Sequence, residues 1–221
     1  MKKLRSYFLY LLGLPKTIYF NFKYLPFNKA LSLPVFISHR VWLKKCAGKI
    51  ELASYKMASV KIGYGGVSIF DENRSRSIWH VNGSVKFNGK ATFGHGTKID
   101  VSGVMDVGDN FEMTAESSII CHEKISFGND VLISWDTLIM DCDFHKIYDE
   151  RQQVINEDKP VVIGNKVWIG CRCLILKGVA IADGVIVAAA STVSKSIDSS
   201  SSIIAGSPAQ KVKENISWSY D

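Results

Sequence analysis

No aspartate or glutamate occurs before Glu51, and that absence divides the chain. The first 49 residues carry ten Lys and Arg, whereas the whole chain of 221 residues is only +6, which leaves the other 172 residues at −4. Basic charge this local argues against a nucleic-acid-binding domain and for a basic N-terminal patch with a partner of its own. An apolar run long enough to span a bilayer is also missing. Tyr7-Phe-Leu-Tyr-Leu-Leu-Gly-Leu14 stops at Pro15, far short of the roughly 20 residues needed. The basic start before this run imitates a signal peptide, but no small-x-small cleavage site follows it. A second aromatic run, Ile18 to Phe27, has Lys23 interleaved. Lys among aromatic residues suits a membrane interface. The alternative is a helix packed across the end of the core or against another subunit.

A disulfide framework is absent as well. The five cysteines, Cys46, Cys121, Cys142, Cys171 and Cys173, are odd in number. Cys171 and Cys173 lie too close along a strand to bridge without strain. Cys-x-Cys has no second pair with which to build a metal site. Free thiols imply a reducing compartment, and Cys173 falls at an inward position.

What the chain does have is a period of six. Ile163, Ile169, Ile175, Ile181, Val187 and Val193 each open a block of six residues, often followed by Gly or Ala. Helical spacing near 3.6 does not fit, nor does a sheet of ordinary hairpins; a strict hexad marks a parallel β-helix. Upstream the phase runs Phe87, Phe93, Ile99, slips two to Val107, continues through Met113, Ile119 and Ile125, slips to Phe127, then runs Ile133, Ile139. Phe93-Gly-His-Gly, Val107-Gly-Asp-Asn, Phe127-Gly-Asn-Asp and Ile163-Gly-Asn-Lys share one signature, so each is expected to start the same corner in successive coils. Residues 30–85 alternate in places (Ile50–Leu52, Val67–Phe70) without a clean phase, and are expected to form irregular first coils that cap the core. At 141–160 the repeat stops in a polar stretch, which predicts a long loop thrown from a rigid coil, where chemistry is usually mounted.

Asp141-Cys-Asp-Phe-His145 leads into that loop. Imidazole is suited to remove a hydroxyl proton because it titrates near working pH, and a backbone N–H can serve a tetrahedral oxyanion. A Cys142–His145 dyad is the competing chemistry. His95 is expected at an outward corner, solvated or interfacial, and His122, before Glu123, beside a subunit groove. His39 and His80 carry no functional expectation.

Val167-Trp-Ile-Gly170, Lys177-Gly-Val179, Ala188-Ala-Ala-Ser-Thr-Val193, Lys195 and Ala205-Gly-Ser-Pro-Ala209 resemble the hexapeptide-repeat acyltransferases, most closely the galactoside, maltose and polysaccharide O-acetyltransferases. The resemblance covers about residues 85–213. It implies a left-handed coil of three hexapeptides per turn, against the usual right-handed rule for parallel crossovers. It implies acetyl-CoA as co-substrate, no metal, and direct transfer with His145 as general base. Asp143 or Asp141 would orient the ring or hold the sugar, with Trp135 and Tyr148 as further acceptor contacts. Trp168 would shape the tunnel near the thioester, and Gly170 would be a further cofactor contact. Cys171 stands where kin often carry a small polar residue that bonds the pantetheine arm. The Ala188, Ala189 and Ala190 backbone would bond pantetheine amides. Ser194 and Lys195 would hold the nucleotide end, and Lys213 would lie near its 3′-phosphate. Three departures stand out: Ala182, Ala188 and Ala190 replace glycines common in the family. Gln210 also stands where relatives can have a basic residue.

The expected architecture is thus all-β: a left-handed parallel β-helix with an irregular, partly helical N-terminal segment and a protruding active-site loop. Residues 1–49 form the basic aromatic segment, 50–210 the β-helix domain with loop 141–160, and 211–221 a tail. The expected activity is acetyl transfer to a sugar hydroxyl of a cell-surface polysaccharide (capsule or O-antigen) or its precursor. The expected state is a cytoplasmic homotrimer with a saccharide acceptor, no nucleic acid, and peripheral contact with the inner membrane face through residues 1–27. Two alternatives stay open: a γ-type carbonic anhydrase with zinc on His95, His122 and His145, and a non-catalytic scaffold.

Overall fold

Each hexad aliphatic finds its equivalents one coil above and below, and those columns are the core. The structure, a computed structural model, describes residues 2–220, with side chains from residue 8 onward. Short parallel strands wind in turn through three sheets of nine, seven and six strands, giving a left-handed parallel β-helix of triangular section. In the first sheet Ile62, Phe93, Met113, Ile133, Ile169, Val187 and Ile204 stack in register. In the second, Trp79, Ile99, Ile119, Ile139, Ile175 and Val193 do so. In the third, Leu52, Phe87, Val107, Phe127, Ile163 and Ile181 do so. All are buried. The slips of two now have a cause. In the N-terminal half an extra pair of residues turns the corner from the second sheet to the third, as at Ser102-Gly103 and His122-Glu123, so one coil takes two residues more there.

The β-helix starts earlier than residue 50. Strands Val35–Ile37 and Val41–Cys46 already pair in parallel with Val60–Ile62 and Ser77–Val81. The first coils therefore pair as the later ones do, apart from a register shift between Leu43 and Lys45, and their sequence spacing is irregular because residues 63–76 interrupt the period. Val67–Phe70 is part of that insertion and not a strand.

Helix α1 (Lys2–Tyr24) runs through Pro15 without a break. It lies along strand Val35–Ile37, whose free edge would otherwise offer unpaired amides and carbonyls. Asn21 closes that edge: its Oδ1 accepts from Val35 N (3.1 Å) and its Nδ2 donates to Val35 O (2.7 Å). Thr17 Oγ1 accepts from Ile37 N at 2.9 Å, and Lys16 Nζ donates to His39 O and Val41 O at 2.6 Å. Gly13 lets the helix approach, since a Cβ there would sit 2.5 Å from Ile37 O. The opposite face of α1 points outward with Phe8 (59 % exposed), Leu11 (66 %), Leu12, Ile18, Tyr19 (53 %) and Phe22.

The tail is not free either. Strand Ala209–Lys213 pairs antiparallel with Ile203–Gly206. Trp218 packs on Trp168 with centroids 6.0 Å apart and donates to Lys166 O at 2.8 Å.

Candidate active site

The loop of residues 141–160 leaves strand Leu138–Met140 of the second sheet and rejoins the third sheet at Val161–Ile163. Asp141 is fully buried at its root. Its carboxylate accepts from His122 N (2.7 Å) and Glu123 N (2.9 Å). Equivalent corner amides below, Ser102 N and Gly103 N, bond to a carbonyl of the next coil, Cys121 O. At His122-Glu123 the next coil opens into the loop, and the Asp141 carboxylate replaces the missing carbonyl. Asp141 is therefore not presented to an acceptor or to the imidazole: its side chain is buried and each oxygen already accepts from a corner amide.

His145 stands exposed on the loop. Phe144, at φ +60°, turns the chain so that His145 N donates to Asp143 O at 2.7 Å. Asn156 ties the two arms together: its Nδ2 donates to His145 O (2.8 Å) and Asp143 Oδ2 (2.9 Å), and its Oδ1 accepts from Ile147 N (2.6 Å). Lys177, on the next coil, donates to Asp143 Oδ2 at 2.5 Å and to Asn156 O at 2.7 Å. Lys177 and then Asn156 hold the Asp143 carboxyl below the usual carboxylate range. Asp143 Oδ2 thus anchors the loop that carries the imidazole. Tyr148 is exposed and bridges to Val154 across the loop. Neither Asn156 nor the role of Lys177 was visible in the sequence. Lys177 appeared only as part of a motif, and a loop asparagine has no distinguishing neighbour pattern.

Cys142 is buried, and burial pushes its thiol up. A protonated thiol is a poor nucleophile, which weighs against the Cys142–His145 dyad. His122 lies beside the loop, its ring edge-on to Phe144 at 5.0 Å. Among the described residues no group of three His, Cys, Asp or Glu gathers to hold a metal.

The candidate cofactor residues fall into two groups. Trp135, Cys171 and Ala189 stack at the corner between the first and second sheets, where Arg172 N bonds Trp135 O (3.0 Å) and Ala190 N bonds Cys171 O (2.8 Å). Trp168, 36 % exposed, points outward beside this corner and donates from Nε1 to Ser134 Oγ at 3.1 Å. Gly170 has no room for a side chain, since a Cβ would lie 2.7 Å from Ala189 N. The Ala188–Ala190 backbone, expected to meet pantetheine amides, is partly engaged within the coil. Ala188 N is bonded to Ile204 O (2.9 Å) and Ala190 N to Cys171 O, and only the exposed Ala189 lies between them. Ser194 and Lys195 are exposed at the other corner, between the second and third sheets, which also carries Lys177 and the His145 loop. Lys213 lies on the terminal hairpin, opposite Ile203. Within one chain the width of the second sheet separates His145 from Trp135 and Cys171.

His95 departs furthest from expectation. It is 3 % exposed, not solvated, because the insertion of residues 63–76 folds over its corner.

A family model described as bacterial transferase hexapeptide (six repeats) matches residues 160–195. Over 145 residues the chain is 31 % identical to the putative lipopolysaccharide biosynthesis O-acetyl transferase WbbJ of Escherichia coli (strain K12), covering 60 % of this chain and 73 % of that protein. It is 30 % identical over 140 residues to the polysialic acid O-acetyltransferase of Escherichia coli O1:K1 / APEC, covering 63 % of this chain and 43 % of that one. The solved structure of the polySia specific acetyltransferase NeuO superposes with a TM-score of 0.64 at 20 % identity, over 84 % of this chain and 81 % of that one, a likeness of fold.

Proposed function

The chain belongs to the hexapeptide-repeat acetyltransferases, and we propose that it moves an acetyl group from acetyl-CoA to a sugar hydroxyl of a cell-surface polysaccharide or its precursor. The observation that carries this is His145, exposed on a loop that Asp143, Asn156 and Lys177 fasten to a rigid coil. In the reaction the imidazole takes the proton of the acceptor hydroxyl as its oxygen attacks the thioester carbonyl. The tetrahedral oxyanion collapses, the C–S bond breaks, and the leaving thiolate takes the proton back from the imidazolium. No covalent enzyme intermediate is needed, in keeping with the buried Cys142.

The site is shared between copies of the chain in this reading. His145 and the Trp135–Cys171–Ala189 corner flank the second sheet, whose outer face there carries the half-buried Ile120, Leu138, Met140 and Leu174. An apolar sheet face between two half-sites suits an interface that sets one copy's loop against the next copy's corner, as in a homotrimer.

Membrane contact is proposed for the outward stripe of α1, from Phe8 to Phe22. Lys23 is exposed beside it, but Lys16 is tied to the coil and leaves the tally of lipid-facing charge. The side chains of Lys2, Lys3 and Arg5 lie outside the described residues. Among the described residues no helix is long and apolar enough to cross a membrane.

The test is transfer of labelled acetyl from acetyl-CoA to the polysaccharide, or the lipid-linked oligosaccharide, of the source cell. Release of base-labile acetate from the product is the expected result. Labelled product insensitive to mild base, or none with any saccharide, would overturn the assignment.

A further inference from the structure

Residues 63–76 interrupt the coil between strands Val60–Ile62 and Ser77–Val81 and line an open-mouthed cavity of about 410 Å³ over the His95 corner. The insertion is fastened in place. Arg40 donates to Glu72 O (2.5 Å) and to Asn73 Oδ1 (2.7 Å), Asn73 N donates to Asp71 Oδ1 (2.9 Å), and Ser75 donates to Glu116 Oε1 (2.5 Å). Gly66 lines the mouth of the cavity, where a Cβ would lie in ordinary contact with Glu72 Oε2 at 3.7 Å and His95 Cδ2 at 3.9 Å, so a larger side chain there would project into the opening.

His95 is 97 % buried at this cavity, yet neither Nδ1 nor Nε2 has a hydrogen-bond partner. Burial lowers its pKa, against the opposing pull of Glu116 and Glu72. A neutral imidazole presents one donor and one acceptor, and buried polar atoms in folded proteins are nearly always satisfied. A ligand there would offer an acceptor to one ring nitrogen and a donor to the other. The lining also holds the ring of Phe70, edge-on to His95 at 6.2 Å, and the carboxylate of Asp71, which Arg74 faces at 3.6 Å, while the Arg40 guanidinium behind the insertion is spent on Glu72 O and Asn73 Oδ1. No Lys or Arg lines the cavity to hold an anion, and among the described residues no three-group cluster stands ready for a cation. Hydroxyls on a ring with an apolar face match it.

We propose that this cavity is a subsite for an uncharged sugar residue of the acceptor, held by His95. The proposal rests on the saccharide reading above and narrows it. His95, Ala115, Trp135 and Cys171 follow one another up a single corner, joined by Glu116 N to His95 O (3.0 Å), Asp136 N to Ala115 O (3.1 Å) and Arg172 N to Trp135 O. At about 4.8 Å per coil the cavity lies roughly 10 Å below Trp135. An acceptor that fills the cavity and also reaches the Trp135–Cys171 corner must be an oligosaccharide chain, with an uncharged residue away from the acetylated one.

The test uses the full chain with His imidazole nitrogens labelled. Probes are tetrasaccharides of α-glucan, β-galactan and mannan, with a sialic acid tetramer as the charged control. The His95 ring signals are expected to shift with at least one neutral probe and not with the sialic tetramer. His95→Phe and Gly66→Phe should weaken that probe about tenfold, the scale of one net hydrogen bond, while acetyl-CoA affinity is unchanged. Gly66→Phe leaves His95 in place, so it guards against a folding effect of the first variant. No shift with any neutral probe, binding only of the sialic tetramer, or equal binding by both variants overturns the proposal. Acetyl transfer that proceeds with unaltered acceptor KM in both variants sinks the subsite alone. Probe binding without any acetyl transfer sinks the catalytic reading alone.

Discussion

Lys177→Met separates two roles that Asp143 could have. In the structure Asp143 Oδ2 accepts from Lys177 and Asn156, and Lys177 also holds Asn156 O. If the carboxylate serves to hold the loop, then removing Lys177 should harm turnover much as removing Asp143 does. Asp143 is 41 % exposed and the Lys177 side chain 18 %, so the pair is screened and its coupling in a double-mutant cycle should be about 0.5–1 kcal/mol. The kinetic effect should be larger than the thermodynamic one. Displacing a catalytic group by about 1 Å can cost on the order of 100-fold, so kcat should fall roughly 10- to 100-fold, with the KM for acetyl-CoA unchanged. The pH dependence has a definite sign. The folded Asp143 carboxyl titrates below its unfolded value, so its stabilisation is complete above the unfolded pKa, near 3.9. It is lost only as pH falls through the folded pKa. Thermal melts of wild type and Lys177→Met should therefore differ at pH 7 and converge in strong acid. Steady-state kinetics on both single variants and the double variant decide the matter. If Asp143→Asn loses far more activity than Lys177→Met, or the two losses multiply, the carboxylate acts on the imidazole directly and the anchoring argument is wrong.

His145→Ala should cost on the order of 10²–10⁴ in turnover with acetyl-CoA affinity intact, and near-normal turnover would remove it from the mechanism. Cys142→Ala should keep most activity, and mass spectrometry of wild type mixed with acetyl-CoA alone should find no acyl-enzyme; a trapped acyl-cysteine would restore the dyad. Leu11→Ser with Tyr19→Ser, both on the outward stripe of α1, should abolish sedimentation with anionic vesicles, which salt should also reverse in the wild-type protein. If the double variant instead changes only the oligomeric state in solution, the stripe is covered by protein and not by lipid. Deleting α1 is the wrong instrument, because Thr17 and Asn21 close the free edge of the first strand and their loss would expose it.

Most of the coil was legible because its physics is one-dimensional. A residue that must stack on its counterpart a coil away recurs at a fixed interval, and Ile163 to Val193 announce that interval directly. The N-terminal coils obey the same rule in space, but residues 63–76 lie between Ile62 and its partner Phe93 and hide it from any fixed-period count. The site was legible to the extent that a residue type declares its chemistry. His145 on a loop that breaks the repeat is such a case. Asp141 is the opposite case. Next to a histidine it reads as an orienting carboxylate, yet it is spent on two backbone amides because the coil above it opens. Nothing local distinguishes the two uses. His95 misled for two reasons: the apolar-Gly-polar signature does not mark one corner, since Phe93-Gly lies between the first and second sheets whereas Val107-Gly, Phe127-Gly and Ile163-Gly lie between the third and first, and it cannot tell that a distant insertion folds over the His95 corner.

The rigidity of the coil also decides what one chain can do alone. Its corners are fixed by register, with every strand from Ser118–Cys121 to Thr192–Val193 in the second sheet pinned to its neighbours. The His145 loop is anchored to the corner on one side of that sheet by Lys177. Trp135 and Cys171 sit at the corner on the other side, locked by backbone bonds through Arg172 and Ala190. No hinge lies between the two. A shear of the strands would turn the inward columns of Ile119, Ile139 and Ile175 toward solvent, since a one-residue slip in register inverts a strand's faces. The base of one chain therefore cannot swing to the Trp135 corner of the same chain. If both take part in one transfer, the meeting has to occur where the half-buried Leu138, Met140 and Leu174 are covered by a second copy, and the rigid coil acts as the ruler that sets the distance between them.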